Sequence, residues 1–148
     1  MEREVAPERT GWRDESLSIR HRAWGFDCPA VDVDFLLIEY ASGKPKAIVD
    51  YKRASRYNVH ADHPSIRAML SLCEWHEPPL PCWVACYTRD PWRFKVEPLN
   101  EKAVDLFGLN PKWMTEREYV ANLYLLRYGR ISPEATQILA GLNDEATP

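Results

Sequence analysis

Asp50-Tyr51-Lys52 is the only acid-x-lysine triplet in the chain, and it follows two further acids, Asp32 and Asp34. On a strand, residues two apart share a face, so the Asp50 carboxylate and the Lys52 ammonium point the same way. Two carboxylates gathered on one face repel unless a cation lies between them, and hard oxygens at that spacing suit Mg²⁺ or Mn²⁺. A lysine beside them can hold a water or neutralise charge that develops on a phosphate. The expected chemistry is hydrolysis of a phosphodiester. No Ser-His or Cys-His arrangement stands out for acyl transfer. The plainer alternative is a solvated face with a cross-strand ion pair, worth under about 1 kcal/mol. Leu36, Ile38 and Ile48 fall on the same face and imply that it is covered, which favours a site.

The residues that position these groups read as a hairpin. Val31, Val33, Phe35 and Leu37 alternate with Asp32, Asp34, Leu36 and Ile38, and Lys46 to Lys52 forms a second apolar run. A three-residue loop at 41–43, with Gly43 placed for a positive φ, opposes Tyr40 with Lys44. Counting back, Asp34 opposes Asp50 and Asp32 opposes Lys52. That register places all four on one face and Val33, Phe35, Val49 and Tyr51 on the other.

Around the hairpin, residues 13–23 can be a short helix capped by Asp14 or a strand over 18–22, with helix the preferred reading. Pro64 and the spacing of Ile66, Met69, Leu70 and Cys73 predict a helix over 64–76. Strands are expected at 82–88 and 92–97. Helices are expected at 101–107, at 116–128 behind the capping box Thr115-x-x-Glu118, and at 133–140 behind Ser132-Pro133. The reading is a single α/β (α+β) domain over 13–148, with a core at about 13–97 and a helical extension at 98–142. Residues 1–12 read as a flexible lead-in, and the tail from Asn143 as disordered.

The chain of 148 residues has a net charge of −3, so no global basic field advertises nucleic acid, and such contacts must be local. Arg20, His21 and Arg22 before the hairpin, and Lys52, Arg53, Arg56, His60, His63 and Arg67 after it, are the local basic excess. Of these, Arg20, Arg22, Arg53, Arg56 and Arg67 are the candidates to meet phosphates. Cys73-x-x-His76 with Cys82 and Cys86 superficially suggests zinc, but their apolar contexts read as core thiols. Trp24, Trp75, Trp83, Trp92 and Trp113 read as core or interface anchors. The short apolar runs and charged first residues point to a cytoplasmic, non-membrane protein, with a homodimer left open.

Asp34 followed by Asp50-Tyr51-Lys52 resembles the bipartite motif of the PD-(D/E)xK nuclease superfamily, the restriction-endonuclease-like fold. The resemblance implies a helix, a three-stranded antiparallel meander, a helix and a further strand. It also implies that Asp34 and Asp50 bind Mg²⁺, helped by the main-chain carbonyl of Tyr51, while Lys52 positions or activates water. Glu15 matches the additional acid that many members carry on the first helix. Val33 stands where the motif has Pro, which keeps Asp32 as an alternative metal ligand. The expected function is a metal-dependent nuclease acting on DNA ahead of RNA. The alternative is a non-catalytic nucleic-acid-binding or assembly module on a nuclease-like scaffold.

Overall fold

The computed structural model describes residues 15–25, 27, 33, 35–39, 41–54, 63–110 and 112–145. The chain divides into two compact units, residues 1–32 and 33–148. In the first, α1 spans Glu15–Ala23, which resolves the ambiguity at 13–23 in favour of helix. Arg20, His21 and Arg22 fill its last turn, where cations complement the helix dipole.

The second unit is a mixed five-stranded sheet in the order β1-β2-β3-β4-β5, with helices on both faces. β1 is Phe35–Glu39, β2 Lys44–Arg53, β3 Cys82–Thr88, β4 Arg93–Pro98 and β5 Trp113–Thr115. The helices are α2 (Pro64–Trp75), α3 (Glu101–Phe107), α4 (Glu116–Tyr128) and α5 (Pro133–Ala140). This is the mixed α+β class expected. β2 and β3 are parallel, joined by the α2 crossover, and every other neighbouring pair is antiparallel. The third meander strand implied by the resemblance would precede β1, where residues 26, 28–32 and 34 lie outside those described.

Alternation along β2 divides the core. Ala47 and Val49 face α3 and α4 and pack with Trp83, Ala85, Val96, Ala103, Met114 and Tyr119. Ile48 faces α2 and packs with Ile66, Met69, Cys73, Leu80, Cys82 and Val84. Trp83, Ile48 and Val49 are fully buried, each contributing roughly 1.5–3 kcal/mol as an apolar side chain removed from water. Helices α3 and α4, read from sequence as an extension, therefore complete one of the two core layers. β5 was not expected; three residues are too few for alternation to show.

The hairpin turn differs from the expectation. Glu39, rather than Tyr40, opposes Lys44, and a bulge between Leu37 and Ile38 absorbs the extra residue on β2. Beyond the bulge Leu36 opposes Ile48 and Phe35 opposes Val49, the pairing that the sequence register requires. The near-buried Glu39 carboxylate accepts from Ser42 N at 2.6 Å and Ser42 Oγ at 2.8 Å, so it holds the wider turn. Gly43 has φ 69°, the left-handed conformation that glycine adopts without a Cβ clash.

Two other expectations are corrected. Leu36 and Ile38 are 50% and 51% exposed, so the apolar cover inferred from them ends at Ile48: α2 packs against β2 and β3, and β1 lies at the sheet edge. The tail is held through Glu145. Asn143 Nδ2 donates to Trp92 O at 3.0 Å, Arg93 Nε donates to Glu145 O at 2.8 Å, and Arg117 pairs with Asp144 at 3.0 Å.

Candidate active site

β2 carries its chemistry on alternate residues. Tyr51 turns into the α4 face, where its hydroxyl lies 2.7 Å from that of Tyr119, and Trp83 Nε1 donates to Tyr119 Oη at 3.1 Å. Its ring also meets Phe35, Tyr87, Phe94 and Tyr119 edge-on. Burial pushes both phenols above their usual pKa, with the contact to Tyr119 partly offsetting this at Tyr51. Both remain neutral and hydrogen-bonded, fixing the middle of the triplet.

Asp50 and Lys52 consequently turn to the α2 face. Lys52 Nζ lies 3.1 Å from Asp50 Oδ2, with the aspartate side chain 13% exposed and the lysine side chain 44%. The pair stands just beyond the Ile48, Cys82 and Val84 layer, at the carboxyl end of β2 beside the carboxyl end of parallel β3. In open α/β sheets this end of a parallel pair, where the crossover begins, is where ligands are received. The N-terminus of α2 emerges at the same end, with His63 as its cap, accepting from Ser65 N at 3.2 Å.

The other expected site residues are dispersed or not described. Asp32, Asp34 and Arg56 lie outside the described residues, as does the side chain of Glu15. Arg20 and Arg22 belong to the first unit. Arg53 is exposed but alternates onto the Tyr51 face, opposite the Asp50 and Lys52 side chains. Arg67 is exposed on the first turn of α2. Among the described residues no three His, Cys, Asp or Glu side chains gather to hold a metal. Within them, Asp50 supplies one partly buried hard carboxylate and Tyr51 a neighbouring carbonyl, a donor set compatible with Mg²⁺ that needs a second acid.

The ladder adds residues that the sequence reading missed. Lys52 pairs with Cys86, Cys86 with Lys95, and Lys95 with Trp113, so these form one row across four strands. One row nearer α2, Asp50 pairs with Val84, and Val84 with Glu97. Alternation over 92–97 was readable, but not the pairing that brings Lys95 onto the Lys52 face.

Cys73, Cys82 and Cys86 are free and buried. Cys73 on α2 and Cys82 on β3 meet in the core between helix and sheet, and their mutual contact together with burial pushes the Cys82 thiol up. Burial also raises Cys86, against the lowering influence of the Lys95 charge. Trp83 is a core anchor, but Trp24, Trp75, Trp92 and Trp113 are 52%, 83%, 41% and 39% exposed. Large flat side chains can reach the surface from turns and strand ends, which corrects the expectation for a core role in these four. No helix among the described residues is long and apolar enough to cross a membrane. No protein-family model, curated protein or solved structure matches the chain.

Proposed function

We propose that the protein is a metal-dependent nuclease of the PD-(D/E)xK type that hydrolyses phosphodiesters of DNA ahead of RNA. The observation that carries this reading is the Asp50 and Lys52 pair, held 3.1 Å apart on one face at the carboxyl end of a parallel strand pair. In this reading Asp50 and the Tyr51 carbonyl would hold Mg²⁺ or Mn²⁺ with a second acid, which the sequence assigns to Asp34 or Asp32, outside the described residues. The bound ion would supply Lewis acidity and lower the pKa of water. Asp50 would fix an ion-binding carboxylate oxygen relative to the sheet. Lys52, the more exposed partner, swings from the carboxylate to the phosphate as negative charge builds on its oxygens. Tyr51 takes no part in bond making; its anchorage keeps the flanking side chains from rotating out of position.

The test is cleavage of labelled single-stranded, duplex, flap and junction oligonucleotides with Mg²⁺ or Mn²⁺, against EDTA. Metal-dependent products lost in Asp50→Asn are expected. Intact substrates under every condition would sink the proposal. A second reading, a non-catalytic binding or assembly module, is favoured by the ion pair itself, because a lysine engaged by its own aspartate can be structural. Nucleic-acid binding without turnover would select it.

A further inference from the structure

The row Lys52, Cys86, Lys95 and Trp113 crosses the sheet at the edge of the proposed active site. Neighbouring strands are about 4.8 Å apart, so the Lys52 and Lys95 backbones stand about 10 Å apart and Trp113 one strand further. Cys86, between the two lysines, is a small side chain 2% exposed. Lys95 is partly exposed, and no carboxylate pairs with its ammonium among the described residues. The next cation along β4, Arg93, is already committed to the Glu145 carbonyl. Trp113 is 39% exposed, while its neighbour Met114 is buried on the opposite face with Tyr119. Two cations followed by an accessible indole match the needs of a single nucleic-acid strand: charge for successive phosphates and a flat surface for an unpaired base. A duplex keeps its bases stacked inside and cannot use the indole in this way.

We infer that the Lys52, Lys95 and Trp113 row is the track of a single-stranded nucleic acid, with Lys95 holding a phosphate beside the reacting one and Trp113 stacking an unpaired base. This rests on the nuclease reading and assigns its substrate class. Lys95 and Trp113 are positioning residues, since neither touches the scissile bond.

The experiment measures fluorescence anisotropy of a labelled DNA strand of about 15 nucleotides, and of its duplex, with Ca²⁺ as the metal over a salt series. Wild type is expected to bind the single strand more tightly than the duplex. Lys95→Gln should weaken binding several-fold and reduce the slope of log affinity against log salt by about 0.7 for the single strand, and Lys95→Arg should restore both. Trp113→Ala should weaken single-strand binding about tenfold or more, with little effect on duplex, and Trp113→Phe should retain most of it. A structural role for Lys95 would not move the salt slope. If wild type binds and Lys52→Gln weakens it, while Lys95→Gln and Trp113→Ala leave affinity and slope unchanged, the track is refuted and the nuclease reading survives. If Trp113→Ala weakens single strand and duplex equally, the single-strand assignment is refuted. If wild type binds neither, both fall.

Discussion

Replacing Lys52 by Ala should destabilise metal-free protein more than replacing Asp50 by Asn, although each removes one half of the same ion pair. Asp50 is 13% exposed at its side chain and Lys52 44%, so the two partners differ in what losing the other costs them. Lys52→Ala takes the ammonium away from a mostly desolvated carboxylate, and losing a hydrogen bond to a charged group costs roughly 1–3 kcal/mol. Asp50→Asn leaves an ammonium that can turn to water, and the amide oxygen can still accept from it. The loss is then the exposed-pair energy, about 0–1 kcal/mol. For a chain of this length 1 kcal/mol moves the melting temperature by roughly 3 °C, so the two variants should separate clearly in melting curves taken in EDTA. Adding Asp50→Asn to Lys52→Ala should recover part of the loss, because the negative charge that Lys52 balances is then gone as well. The double-mutant cycle should give a coupling of about 0.5–2 kcal/mol. Equal losses for the single variants, or a coupling near zero, would refute the unequal burial on which the argument turns. In Mn²⁺ titrations Asp50→Asn should lose metal while Lys52→Ala keeps it.

Thr115→Ala should cost about 1 kcal/mol in denaturant unfolding, since Thr115 Oγ1 accepts from Glu118 N at 3.0 Å and the Glu118 carboxylate accepts from Thr115 N at 3.3 Å. Stability should fall as pH rises past 10. Tyr51 and Tyr119 have folded-state pKa values raised above the ordinary 10.0, so the unfolded chain releases those protons first and alkali favours it. Their contribution is complete below that value and declines by up to about 1.4 kcal/mol per pH unit per tyrosine. Tyr51→Phe removes one of the two, and should make the alkaline decline shallower while costing roughly 1 kcal/mol at neutral pH.

The elements that were legible in the sequence are those whose signal is local. Pro64 and the Ile66, Met69 and Cys73 stripe mark α2, and Thr115 with Glu118 marks the first turn of α4. The register from Phe35 to Val49 was also readable, because only one parity buries Val49 while leaving Asp50 on the other face. The turn was not. Glu39 reads as an ordinary polar strand residue, and nothing local shows that its carboxylate will close on Ser42 and shift the loop by one position. The row through Lys95 was invisible for a different reason: it depends on which strands become neighbours, a decision made by the α2 crossover and by the layers on either side. Half of the candidate site, Asp50 and Lys52, could therefore be read from one strand. The positioning half could not.

β2 separates two duties by parity. Ala47, Val49 and Tyr51 are packed against the α3 and α4 layer, whereas Asp50 and Lys52 extend past the last apolar residue that α2 covers. Selection can consequently act on the two sets almost independently. On the nuclease reading, substitutions at 50 and 52 would abolish or retune chemistry at a cost of up to about 1–3 kcal/mol, while the apolar layers stay in place. Substitutions at 47, 49 or 51 threaten the scaffold before they reach the chemistry. On the nuclease reading, two codons separate an enzyme from a non-catalytic binding module, and neither belongs to the apolar layers that hold the sheet.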